Sequence, residues 1–229
     1  ISASAKDELN SGNGIHAWKS THLMIHNNNV SGHRDGIYFE FVTESRIIKN
    51  VSTKNIRYGL HFMFSHRDVY ANNLFVDNGS GVAVMYSKFV EMYNNTFRHN
   101  WGDAAYAILL KEIADSKIKQ NLFVKNTVGI YMEGSSRIEV MQNEFKENGW
   151  GIRVQASCDN NVFEHNNFLS NSFDVATNGT MMLNTFNENY WDKYDGYDLD
   201  KNKIGDVPYY PVSMYAVVTE RIRNAMILY

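Results

Sequence analysis

Four side chains of this sequence carry donors that suit a soft metal ion: His61, Met63, His66 and Met85. The first three fall within GLHFMFSH, and Met85 follows 22 residues after Met63. Thioether together with imidazole is the ligand set that suits Cu(I). The plainer reading is a patch where a partner protein packs, because methionine adapts to contact surfaces. The residues alone leave both readings open.

A second candidate set is Asp198, Asp200, Asn202 and Asp206, whose alternating oxygens have the spacing of a calcium loop. Lys203 stands where such a loop wants glycine, and Tyr209 where it wants a closing bidentate Glu. The alternative is a hydrogen-bonded acidic turn. Other motifs weaken on inspection. His33-Arg34-Asp35 and His66-Arg67-Asp68 both spell the kinase catalytic-loop triplet, but no Gly-rich loop or Asp-Phe-Gly accompanies them. Sugar hydrolysis needs two carboxylates across one groove, and outward Glu40 and Glu133 lie in repeats far apart. Cys158 is the single cysteine, which excludes an internal disulfide framework and a CxxC motif. The net charge, 22 − 25 = −3, gives no reason for a nucleic-acid partner.

The elements that must position these residues follow from a repeat. An Asn step recurs at Asn28, Asn50, Asn73, Asn95, Asn121, Asn143 and Asn166, at intervals of 22, 23, 22, 26, 22 and 23 residues. Such regularity predicts a solenoid. Helical repeats usually run ~33–47 residues. These units are shorter and rich in Val, Ile, Phe and Tyr with period-two alternation, punctuated by Asn and Gly. At ~3.3 Å per residue, one unit makes three short strands and three turns, a coil of a parallel β-helix. Two prolines, Pro208 and Pro211, both follow the repeats, as suits a ladder needing nearly every N–H.

Coils open at Gly14, Gly36, Gly59, Gly81, Ala107, Gly129 and Gly151. The first and third residues after each opener, such as Ile37 and Phe39 or Val82 and Val84, are mostly apolar and are assigned to the core. The second and fourth then face out, including Tyr38 and Glu40, His61 and Met63, Ala83 and Met85. Phe75, Phe97, Phe123, Phe145 and Phe168 should stack as one interior column, with each preceding Asn at a turn in a left-handed backbone. The 26-residue unit carries a longer loop around Trp101–Ala105.

This divides the chain into a polar tail or end of a further coil (1–13), the β-helix repeats (14–189), an aromatic and acidic end cap (190–212) and a C-terminal segment (213–229). The first full coil begins near Gly14 without a distinct cap, as expected of a fragment whose upstream coils and targeting sequence lie outside it. In the last segment Met214, Val218, Ile222, Ala225 and Tyr229 follow helical spacing. A short amphipathic helix is expected there, either covering the solenoid end or docking a partner through Met214, Val218, Ile222 and Met226. It is too short and too charged to span a bilayer.

The string RDGIYFEF…YGLHFMFSHRD…GVAVMYS…NWGDAAYAILLKEI…GIYMEG…GWGIRVQASC…NSFDVATN, closing with NENYWDKYDGYDLD…GDVPYYPVSMYAVV, resembles the NosD family. The resemblance runs over nearly the whole chain from about Gly14. It implies a right-handed parallel β-helix, location in the periplasm and a non-enzymatic role in maturing nitrous oxide reductase. That role implies action with an ABC transporter (permease NosY, ATPase NosF) to help assemble the reductase's copper–sulfur centre, with the copper chaperone NosL as a further partner. Copper binding is implied too, with His61, Met63 and His66 in the family-like YGLHFMFSH segment. The tail, similar to the family's, is implied to dock on the permease, the one link to a membrane. The alternative class is a carbohydrate-binding or carbohydrate-cleaving β-helix, which should show a carboxylate-lined groove.

Overall fold

The computed structural model describes residues 1–179 and 183–213. The chain winds as an all-β parallel solenoid of three eight-stranded sheets, each coil giving one strand to each sheet. The first sheet contains mostly five- and six-residue strands, among them Asp35–Glu40, Tyr58–Met63, Ser80–Met85 and Tyr106–Lys111. The second begins with Met24–His26 and the third with Asn29–Ser31. No α-helix occurs among the described residues.

The inward columns are those expected from alternation. Ile37, Phe39, Leu60, Phe62, Val82, Val84, Ile108, Leu110, Ile130, Met132 and Ile152 are all fully buried. Parallel pairing places them directly over one another, for example Ile37 on Leu60 and Leu60 on Val82. On the third sheet Phe75, Phe97, Phe123, Phe145 and Phe168 stack with centroids 4.7–5.2 Å apart and rings nearly parallel. This offset stacking repeats at the inter-strand spacing of the ladder itself. The opening glycines make room for it. A Cβ on Gly59 would lie 2.9 Å from the Phe75 ring and 2.7 Å from the carbonyl oxygen of Gly81.

Two asparagine ladders hold the corners. In the first, Asn73 Oδ1 accepts from both the backbone N–H (2.9 Å) and the Nδ2 (3.1 Å) of Asn50, while Asn73 Nδ2 donates to Ile47 O (2.8 Å). The second ladder runs Asn55, Asn78, Asn100, Asn126, Asn148 and Asn171, with His33 contributing its backbone N–H at the lower end. Only a side chain with both an acceptor and a two-proton donor can serve every coil in this way. The left-handed backbone sits one residue earlier than expected. It falls on Lys49, Asn72, Asn94, Gln120 and Gln142 at φ 55–56°, and the ladder asparagines follow it.

Pairing extends past the expected repeat boundaries at both ends. Tyr190–Trp191 forms the last strand of the third sheet, and Trp191 stacks 4.2 Å from Phe168, prolonging the aromatic column. Near the N-terminus, Ala3 N donates to Ser31 O at 3.0 Å and Ala5 N to Gly32 O at 2.8 Å. The long coil loops out at Trp101, as its extra residues required, and that ring is exposed. The helix expected over 213–229 lies outside the described residues apart from Ser213.

Candidate functional site

The outer face of the first sheet carries two parallel rows. One runs His16, Tyr38, His61, Ala83, Leu109, and the other Trp18, Glu40, Met63, Met85, Lys111. Met63 and Met85 are therefore direct register partners, ~4.8 Å apart at Cα as neighbouring strands require. His61 and Met63 stand two residues apart on the same face, ~6.6 Å along the strand. The fold thus gathers His61, Met63 and Met85 into one patch. His66 stands apart from it. Beyond the corner at Phe64 and Ser65, it pairs with Thr43 on the way into the second sheet. Its Nδ1 accepts the Lys88 N–H at 3.1 Å, and burial, with Lys88 and Arg67 nearby, holds its pKa below the usual histidine value.

His61 is 5% exposed, stacked on Tyr38 (4.8 Å) and flanked by Tyr58 (4.9 Å). Its Nδ1 lies 3.3 Å from Asp35 Oδ2 on the adjacent coil. Asp35 is fully buried, and Arg57 donates to it twice, Nε to Oδ1 at 2.9 Å and Nη2 to Oδ2 at 2.5 Å. Burial pushes the Asp35 carboxyl up, yet the Arg57 and His61 hydrogen bonds outweigh it and hold the group below the usual carboxylate range. The opposite imidazole nitrogen, His61 Nε2, is buried and has no hydrogen-bond partner. Such an orphaned buried nitrogen is costly unless something binds it. On the same face, the Tyr38 hydroxyl donates to Met63 Sδ at 3.6 Å. Burial first, then Glu40 and Asp35, raise the Tyr38 phenol, so it remains a neutral donor.

Asp35, Arg57, Tyr38 and Tyr58 were not foreseen as site residues. The signal was present: Arg57 and His61 lie 22 and 26 residues after Asp35, one repeat on. What hid it was the corner at Gly36, where strict alternation fails and Asp35 points outward. The two His-Arg-Asp triplets, identical in sequence, occupy different corners, and the second turns Asp68 inward to complete burial.

The donor set matches a soft ion. Among the described residues no three His, Cys, Asp or Glu side chains converge as a metal site. The patch instead offers one imidazole and two thioethers, which suit Cu(I) and not Ca2+ or Mg2+. A column of half-exposed aromatics borders it, since Phe64 follows Met63 and Tyr86 follows Met85. Phe41, Phe64 and Tyr86 stack at 5.2 and 5.0 Å, all with left-handed backbones that aim them outward at the corner.

The acidic segment near the C-terminal end folds on itself. Asp198 accepts the backbone N–H groups of Asn202 (3.1 Å) and Lys203 (2.8 Å), Asp200 also accepts from Asn202 (3.1 Å), and Asp206 from Leu199 (2.6 Å). Lys203 adopts φ 73°, the conformation for which a calcium loop uses glycine. These bonds gather Asp198, Asp200, Asn202 and Asp206 into one turn. The docking residues Met214, Val218, Ile222 and Met226 lie outside the described residues.

The fold and this face define a β-solenoid that displays its polar chemistry on an open sheet. Residues 1–196 match the NosD family, described as periplasmic copper-binding protein, and the chain belongs to that family. No curated protein matches it significantly. Solved structures of similar shape include the periplasmic alginate epimerase AlgG (14% identity, TM-score 0.62, covering 78% of this chain and 47% of that one). The Azotobacter vinelandii mannuronan C-5 epimerase AlgE4 A-module is similar at 18% identity and TM-score 0.62, covering 74% of this chain and 53% of that one. Tailspike protein 2 of an Escherichia coli bacteriophage gives 14% and 0.59, covering 80% and 29%. The chain spans about half the length of the epimerases, and at these identities the likeness is one of fold alone. Among the described residues no helix is long and apolar enough to cross a membrane.

Proposed function

We propose that this chain is a non-enzymatic periplasmic accessory factor that handles copper during maturation of nitrous oxide reductase. In this reading it receives Cu(I) from a carrier such as NosL and works with the NosF–NosY transporter. Family membership supports the copper connection. The observation that carries the site is the buried, unpartnered Nε2 of His61 on the sheet face that also holds the register partners Met63 and Met85. The bordering aromatics Phe41, Phe64 and Tyr86 would form the contact ground for the protein that delivers or takes the ion, an apolar patch of the kind that marks interfaces. Phe64 has a stacked neighbour on each side, Phe41 and Tyr86, so it presents an edge rather than a platform for a sugar ring.

The carbohydrate-cleaving alternative fares less well on geometry. Asp35 and Glu40 are the carboxylates of one strand here, and their Cα atoms lie ~16 Å apart at strand rise, beyond the ~6.5–9.5 Å between carboxyl groups of an inverting pair. Asp35 is moreover engaged by Arg57. Anaerobic Cu(I) titration against a competing chelator tests the proposal. Replacing both Met63 and Met85 by Leu keeps volume and removes the sulfurs. Affinity should fall at least tenfold; unchanged binding would leave only a contact patch.

A further inference from the structure

The His61 ring has two nitrogens in opposite situations, and the difference is set by a neighbouring coil. Nδ1 faces Asp35, a fully buried carboxylate that Arg57 grips through both oxygens. An ionised carboxylate can only accept, so the 3.3 Å contact is a hydrogen bond only when Nδ1 carries the proton. Nε2 has no partner at all. Tyr38 stacks on the ring at 4.8 Å, and Tyr58 lies tilted against it at 4.9 Å. From this arrangement we infer that Asp35, clamped by Arg57, is the positioning residue of the site. It fixes His61 as the Nδ1–H tautomer, leaving the Nε2 lone pair as the nitrogen donor for a soft monovalent ion.

The inference deepens the copper reading and rests on it for the identity of the ion. Its chemistry is that of outer-sphere support. A carboxylate behind a ligating imidazole fixes the tautomer, orients the ring and raises its basicity. Because the proton already resides on Nδ1, an ion can take the Nε2 lone pair without displacing one. Arg57 has a separate task. Its Nε and Nη2 donate to Oδ1 and Oδ2, at 2.9 and 2.5 Å, which fixes the plane of the carboxylate and so the lone pair that Oδ2 turns to Nδ1. The three residues come from two coils: Asp35 from one, Arg57 and His61 from the next. The site is therefore assembled by stacking.

The test uses the 229-residue chain, uniformly 15N-labelled, with Ag(I) as a redox-inert stand-in for Cu(I). Long-range 1H–15N correlation of the metal-free protein should show His61 protonated at Nδ1. Asp35→Asn can turn its amide NH2 toward Nδ1 and should move His61 toward the Nε2–H form. Ag(I) affinity should then fall ~10–100-fold, the range for loss of an outer-sphere partner. Should Asp35→Asn fold poorly with Arg57 left unpaired, Asp35→Asn with Arg57→Gln replaces the ion pair by a neutral one and should give the same two changes. Retention of the Nδ1–H tautomer and of affinity in the folded variant would overturn the role of Asp35. Ring shifts in the wild type that do not move on Ag(I) addition would overturn the copper reading, and with it the donor role of Nε2.

Discussion

Asp68 and Asn161 occupy the same inward position four coils apart, and only the asparagine has all its polar atoms bonded. Each sits one residue before a second-sheet strand, and those strands stack in register from Val69 to Val162 through Glu91, Lys117 and Glu139. Asn161 Oδ1 accepts from Ile138 N (2.9 Å), and its Nδ2 donates to Ser135 O (3.0 Å) and to Asn184 Oδ1 (2.8 Å). Asp68 Oδ1 accepts from Ser45 N (2.8 Å), but Oδ2 is buried without a partner, as is the hydroxyl of nearby Tyr70.

Burial raises the Asp68 carboxyl to about 7, against the smaller lowering effect of the Ser45 N–H. The folded state therefore holds a proton that the unfolded chain has released above about pH 4. Stability linked to this group is fully present below that pH, falls as pH rises toward 7, and is flat beyond it. A shift of this size corresponds to an upper bound of ~4 kcal/mol, at 1.36 kcal/mol per unit. Asp68→Asn should copy the Asn161 arrangement, with Nδ2 directed at Val42 O. It should stabilise the protein by ~1–3 kcal/mol at pH 8, with a much smaller gain at pH 4.5. Urea denaturation at the two pH values checks this, and an equal effect at both would refute the assignment.

Phe97 stacks between Phe75 (5.2 Å) and Phe123 (5.0 Å) and is 1% exposed. Phe97→Ala removes the middle of the column and opens a cavity that neighbouring coils, fixed by their ladders, cannot close. The expected loss is ~3–5 kcal/mol. A loss well under 3 kcal/mol would mean that the interior relaxes in a way this stacking forbids.

How much of this was legible in the sequence depended on whether a residue's role is repeated. Ile37 and Phe97 each recur at one position in successive coils, so period and alternation placed them correctly. The unrepeated residues escaped. Asp35 works with Arg57 and His61 only in this pair of coils, at a corner where Gly36 interrupts the alternation. The left-handed residue was misplaced by one because Asn, which favours that conformation, instead occupies the buried ladder position beside it. There its amide hydrogen bonds are worth more than its turn propensity. That His61, Met63 and Met85 share one sheet face was legible because a strand register of 22–23 residues can be counted. The separation of His66 from that face was not, because it depends on how the corner at Ser65 turns the chain.

The asparagine ladder should be intolerant of the smallest chemical change. Asn121 Oδ1 accepts from Asn95 N (2.9 Å) and Nδ2 (3.0 Å), while its Nδ2 donates to Met92 O and Asn143 Oδ1, both at 3.0 Å. Asn121→Asp keeps the shape but replaces that donor by an oxygen facing two acceptors, inside a column 2% exposed. The buried groups left unsatisfied should cost at least ~2–4 kcal/mol at neutral pH, at ~1–3 kcal/mol per group. Part should be recovered on acidification, when the carboxyl regains a proton to donate. Thermal melts of the variant at pH 4.5 and 7.5 measure both parts. A variant as stable as wild type at pH 7.5 would show that water enters the corner and satisfies the ladder.

The two histidines of the GLHFMFSH segment should differ sharply in metal binding, although they stand five residues apart. His61 presents a buried free nitrogen on the face that holds Met63 and Met85. His66 has turned the corner, and its Nδ1 already accepts the Lys88 N–H. His61→Ala should therefore weaken Cu(I) binding at least tenfold, with little effect on its stoichiometry at other sites. His66→Ala should change affinity less than threefold. It should instead lower stability by ~0.5–1.5 kcal/mol through loss of one side-chain-to-backbone bond. Competition titrations of both variants under anaerobic conditions, paired with urea melts, separate the two roles. Equal losses of affinity would mean that the corner opens to bring His66 onto the first sheet, and the site would have to be redrawn with four donors.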